Sequence, residues 1–141
     1  METRPSGSAS LVSPGNPASP VVLRLLPHVH HPPASVLVIG DPAEAAPLFA
    51  RGYRVEVAAH PGSAAGGFDL VCEAGAFAQI PHDRYVQAVA EVLRPGGKLF
   101  GGFNGIDASA LIHLFSRAFE VERVDPSGFA GVGLEVVLVR R

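Results

Sequence analysis

An intramolecular disulfide is closed to this chain, because it carries a single cysteine, Cys72, and that count fits a reducing compartment such as the cytoplasm. Basic runs are lacking too. Lys and Arg are scattered and the formal net charge is −2, which gives no long-range attraction for phosphate backbones or anionic lipid, so nucleic acid is not an expected partner. No apolar stretch approaches the ~20 residues that a helix needs to span a bilayer. The opening METRPSGSAS has no basic segment followed by an apolar one, so neither export nor membrane anchoring is expected. What is present is apolar material, 48% hydrophobic against 17% charged residues in a chain of 141, enough for one core and one domain.

Residues 1–20 hold four Pro, five Ser and two Gly, a composition that buries too little apolar surface to offset chain entropy. A disordered tail is expected there, with the folded domain at 21–141. Val21–Leu26 is apolar and suits a short helix or strand packed on the body. Val36-Leu37-Val38-Ile39-Gly40 is a continuous, β-branched-rich run, the pattern of a strand buried on both faces. Asp41-Pro42-Ala43-Glu44 offers a helix start and Gly52 a helix stop, while Pro47 between them delays the regular turns. Tyr53–His60 alternates Val55 and Val57 with Arg54 and Glu56, as a half-exposed edge strand does. Phe68–Cys72 reads as another buried strand, with no helix between it and the edge strand.

Asp83 is placed to cap a helix with Val86, Val89, Ala90 and Leu93 on one face, stopped by Arg94-Pro95-Gly96-Gly97. Lys98–Phe103 follows as a strand, and Asp107 caps a further helix with Leu111, Leu114, Phe115 and Ala118 inward. Phe119–Val124 and Leu134–Val139, joined by a turn-rich segment without a helix, form an antiparallel pair. The order predicts an α/β fold with a doubly wound, mostly parallel sheet.

Phe68-Asp69-Leu70-Val71 and Leu93-Arg94-Pro95-Gly96-Gly97-Lys98-Leu99, with the helix between them, resemble the fourth strand, fourth helix and fifth strand of class I S-adenosylmethionine-dependent methyltransferases. The likeness is greatest to the small-molecule, thiopurine-methyltransferase-like branch and covers about residues 35–141. It implies a shortened Rossmann-like sheet whose last strand inserts beside its neighbour. The helix, third strand and helix that normally follow the second strand are missing.

The cofactor half departs from the family pattern. An acid normally stands two residues before the first glycine of a G-x-G-type loop, and here Val38 precedes Gly40-Asp41-Pro42-Ala43. A side chain in such a loop blocks close approach of a ligand, and proline removes an N–H donor. The resemblance places a ribose-binding acid at the end of the second strand, where this chain has His60, an imidazole without the bidentate acceptor geometry of a carboxylate. Gly40, Asp41 and His60 are thus the candidate cofactor contacts.

Glu73 lies where the family faces cofactor or substrate and is a candidate acid or base, although a solvated loop carboxylate is the plainer reading. His82 is a candidate proton acceptor, with an ordinary helix-start histidine as the plainer reading. His28, His30 and His31 cluster in a proline-rich segment without the rigid spacing of a metal site. Cys72 reads as a small buried residue. The expected function is a degenerate, non-catalytic methyltransferase-like domain acting as a structural or regulatory subunit, with no cofactor and with itself or a larger complex as partner through the exposed second-strand edge. The alternative is a minimal methyltransferase using S-adenosylmethionine on a small molecule, completed by dimerisation or by a partner subunit.

Overall fold

The computed structural model describes residues 20–127 and 133–141. The tail expected over residues 1–20 lies outside the described residues up to Ser19, and Pro20 opens the first helix. Secondary structure runs α1 (Pro20–Leu25), β1 (Ser35–Gly40), α2 (Ala45–Ala50), β2 (Arg54–Ala58), β3 (Phe68–Ala74), α3 (His82–Val92), β4 (Leu93–Phe103), α4 (Ala108–Phe115), β5 (Phe119–Pro126) and β6 (Leu134–Arg140).

The strands form one six-stranded sheet in the order β2-β1-β3-β4-β6-β5. The first four run parallel, and β6 enters antiparallel between β4 and β5. β2 forms one edge, with no further strand between it and β3 in the chain, as expected. This is a Rossmann-like sheet with an antiparallel C-terminal hairpin. No helix among the described residues is long and apolar enough to cross a membrane.

Helices cover both faces, which is why β1 and β3 are apolar without alternation. On one face α3 and α4 pack on Leu37, Ile39, Val71, Leu99, Phe103 and Leu138. An aromatic chain binds this layer: Phe77 meets Tyr85 edge-on at 5.0 Å and Phe103 at 4.9 Å, and Phe115 meets Phe119 at 5.6 Å. On the other face Val21, Val22 and Leu25 of α1 and Leu48 of α2 cover Val36, Val38, Leu70, Cys72, Phe100 and Val137.

Several local expectations need correction. Asp41 caps a single 3₁₀ turn at Pro42–Glu44 rather than the helix, and α2 begins at Ala45, ahead of Pro47. Pro47 therefore falls in the first helical turn, where its missing N–H breaks no bond. Asp83 is no cap; Pro81 precedes α3 and Asp83 sits in its first turn. The buried stripe of α3 is Tyr85, Ala88, Val89 and Val92, one position back from the expected face, because the tyrosine ring belongs to the core. Finally, β4 starts directly at Leu93, and Pro95-Gly96-Gly97 is a bulge within it that shifts its register against β3.

At the N-terminal ends of the strands Asp69 ties the layers together. Its carboxylate accepts from the Ser35 N–H at 2.9 Å and from the Arg94 guanidinium, and both hold it below the ordinary carboxylate range, the arginine most.

Candidate functional site

In an open α/β sheet, ligands bind beyond the carboxyl ends of the strands, where neighbouring connections leave on opposite faces. Here that point lies between β1, whose chain departs to α2, and β3, whose chain departs to α3. A crevice of about 200 Å³ opens there, lined among others by Asp41, Glu44, Glu73, Asn104 and the α1 residues Val21 and Val22.

The two connections are fastened across this point. Gly40 bridges to Gly75, and the Asp41 N–H donates to the Ala74 carbonyl at 2.8 Å. Gly40 holds φ +118°, and a Cβ there would lie 2.2 Å from the Ala74 carbonyl oxygen. Its glycine therefore serves the close approach of two backbone segments. Pro42 has no N–H, and the Ala43 N–H donates to the Asp41 carboxylate at 2.9 Å. The Asp41 carboxylate thus serves as a cap within its own turn.

Glu73 corrects the expectation of a solvated loop carboxylate, since it is only 4% exposed and fully engaged. Tyr85 Oη donates to its Oε1 at 2.6 Å, the Gly75 N–H to Oε2 at 2.8 Å, and the Phe77 N–H to both oxygens. Opposite it on β4 stands Gly101, where a Cβ would lie 2.7 Å from the Glu73 carbonyl oxygen and 3.0 Å from its Cβ, so the glycine serves the close approach of the two strands at this point. Burial pushes the Glu73 carboxyl above its ordinary value, while the hydrogen bonds from Tyr85 and from the amides of Phe77, Gly75 and Ala76 pull it back down. The Tyr85 hydroxyl is pushed up by its own burial and by the neighbouring glutamate.

The crevice brings Asp41 and Glu73 together, beside Gly40, and leaves the other candidates outside its lining. His60, two residues beyond β2, caps the 3₁₀ turn at Pro61–Ser63 by accepting the Gly62 N–H on Nδ1 at 2.9 Å. His82 opens α3 on the surface with its ring stacked on Phe77 at 4.4 Å. Sequence reasoning missed Tyr85, Glu44 and the α1 residues. For Tyr85 the signal was its place four residues before Val89 and seven before Val92, on one helical stripe.

The three clustered histidines act as parts of a strap. The His28 carbonyl accepts from Lys98 Nζ at 3.0 Å and the His30 carbonyl from Tyr53 Oη at 2.8 Å. An Arg94 N–H lies 3.0 Å from His30 Nε2, which must accept there because a guanidinium only donates. Burial, then the cations Arg94 and Lys98, hold the His30 imidazole below its ordinary value. His31 lines an open groove of about 460 Å³ with Leu26, Pro27, Arg51 and Tyr53. Among the described residues no group of three or more His, Cys, Asp or Glu comes together to hold a metal. Cys72 is fully buried, and burial raises its thiol well above the ordinary value, as a packing role requires.

No protein-family model matches the sequence. Nor does any curated protein. Solved structures do resemble the fold. A TehB-like S-adenosylmethionine-dependent methyltransferase from Corynebacterium glutamicum superposes with a TM-score of 0.67 at 15% identity, over 86% of this chain and 87% of that one. Magnesium protoporphyrin IX methyltransferase from Synechocystis, solved with bound S-adenosylmethionine, gives 0.66 at 10% identity over 86% and 76%. The 1,6-didemethyltoxoflavin-N1-methyltransferase of Burkholderia thailandensis, solved with its substrate and S-adenosylhomocysteine, gives 0.56 at 20% identity over 86% and 76%. Identities this low speak to architecture alone, and the architecture of this chain is the Rossmann-like fold of class I S-adenosylmethionine-dependent methyltransferases.

Proposed function

We propose that this chain is a methyltransferase-fold domain that transfers no methyl group and works through protein contacts, as a structural or regulatory subunit. The observation that carries this reading is the spent loop after β1. Of its backbone donors, Asp41 N–H is taken by Ala74, Ala43 N–H by the Asp41 side chain, and Pro42 supplies none. An amino-acid carboxylate entering the crevice meets Asp41 and Glu44 where it needs amides or cations, and like charge repels it. The crevice volume, about 200 Å³, falls below the roughly 300 Å³ at which pockets for cofactor-sized ligands begin. His60, the counterpart of a ribose-binding acid, spends Nδ1 on its own turn. These residues do not fit S-adenosylmethionine. Methyl transfer draws its rate from holding donor and acceptor in line, and a domain without the positioning groups keeps little of it.

A second reading has specific support. Methyltransferases with this fold hold S-adenosylmethionine or S-adenosylhomocysteine, and the buried Glu73 has the raised carboxyl of an acid–base group. On that reading the chain is a minimal small-molecule methyltransferase completed by a second copy or by a partner subunit. Calorimetric titration with S-adenosylmethionine and S-adenosylhomocysteine decides between them. No heat up to millimolar ligand is the expected result; micromolar binding removes the observation that carries the non-catalytic reading and favours the enzyme.

A further inference from the structure

The β2 edge carries a pattern of backbone groups and charges that a second copy of the same strand can complete. The Arg54 N–H donates inward to the Ala34 carbonyl at 2.9 Å. Strand alternation therefore turns Arg54, Glu56 and Ala58 toward β1 and leaves the N–H and C=O of Val55 and Val57 pointing away from it. Among the described residues β2 pairs with β1 alone.

Side chains sort by face. Val55 and Val57 stand in register with Val36 and Val38, on the side covered by α1 and α2. Arg54 and Glu56 project to the other side, exposed and without an ion pair among the described residues. Val57 is 45% exposed, and so is 71% of Phe49, on the helix α2 that packs against β2. The strand has no proline and no lysine, its register to β1 is unbroken from Ser35–Arg54 to Ile39–Ala58, and the charges it does carry, Arg54 and Glu56, are of opposite sign, so they select a partner strand's register rather than exclude one.

We propose that two copies of this chain pair through β2, antiparallel about a two-fold axis at Val55, which joins their sheets into one. This rests on the reading of the chain as a protein-interaction domain and names its partner and surface. A two-fold antiparallel pair admits few registers, and charge selects among them. An axis at Glu56 sets that carboxylate against its own copy, which repels. An axis at Val57 sets Arg54 against His60, beyond the strand's end. An axis at Val55 lets the two Val55 residues exchange N–H and C=O, sets Arg54 of each copy opposite Glu56 of the other, and brings Val57 over Tyr53 of the other copy.

Sedimentation of the full chain over a concentration series, with circular dichroism as a check on folding, tests the register. The wild type is expected to dimerise. Glu56→Arg, which puts arginine opposite arginine twice, raises the dissociation constant about ten-fold or more. The double exchange Arg54→Glu/Glu56→Arg restores opposite charges across the axis and returns the wild-type constant. A wild type that stays monomeric at high concentration overturns the proposal, as does a folded Glu56→Arg that pairs unchanged or a folded double variant that fails to recover. A monomer that also ignores S-adenosylmethionine sinks the pairing and spares the non-catalytic reading; a dimer that binds the cofactor does the reverse.

Discussion

The stretch from β3 to β6 and the stretch from β1 to β2 share one sheet and differ in what their residues are spent on. In the later stretch both faces are filled, and on the α3 and α4 side Phe77, Tyr85, Phe103, Phe115 and Phe119 are all buried in one chain of ring contacts. In the earlier stretch Val36–Ile39 of β1 are fully buried, but the loop beyond them is stitched to the end of β3 and β2 leaves Val57 half bare. A sheet draws its stability from strand interiors, and a ligand site is drawn from the loops at strand ends. The packing can therefore be complete where the ligand loop is closed.

Mutations that separate packing from site geometry sharpen this contrast. The largest effect belongs to Phe103→Ala, which empties the centre of the aromatic layer and costs about 3–5 kcal/mol in chemical denaturation. A cost under ~1 kcal/mol means the later stretch is not the rigid half. Next comes Gly40→Ala, whose Cβ has no room beside Ala74 and whose φ suits only glycine, at about 2–3 kcal/mol. If that variant keeps full stability, Gly40 is not holding the two connections together and the crevice is open to ligand.

Tyr85→Phe gives the smallest change and the most specific one. It removes the hydroxyl donor to Glu73 and costs about 1–2 kcal/mol at neutral pH. The folded Glu73 carboxyl lies above its ordinary 4.5, so the folded state holds that proton more tightly than the unfolded chain. Its contribution to stability is full below about the unfolded value and is lost as pH rises through the folded one. Losing a donor to the ionised form raises the folded value further, so the decline in Tyr85→Phe extends to higher pH. Stability profiles of the two proteins that run parallel across this range contradict the assignment.

Much of this was legible beforehand. Val36–Ile39 and Phe68–Cys72 announced central strands because both faces of each are covered, and the hairpin of β5 and β6 followed from two strands with no helix between. Gly40 and Asp41 were found from their place after the first strand, yet only the fold shows that their groups are turned inward on Ala74 and Ala43. Glu73 was read as a loop acid because it follows directly on the expected strand Phe68–Cys72; its partners Tyr85 and Phe77 come from a different element and a separate turn. The α3 stripe was misplaced by one residue because Val86, Val89, Ala90 and Leu93 also fall at helical spacing, and only the packed core shows that the face bearing Tyr85 is the buried one.

The sequence by itself determined the order of strands and helices from Val36 onward, the buried character of β1 and β3, the edge character of β2 and the absence of an intramolecular disulfide, since periodicity, turn residues and composition are local properties. Tertiary structure alone decided which donors are already taken, which carboxylate is buried and where His60 points its ring. Those depend on segments far apart in the chain meeting at one end of the sheet, and a hydrogen bond used between two such segments leaves no mark on either.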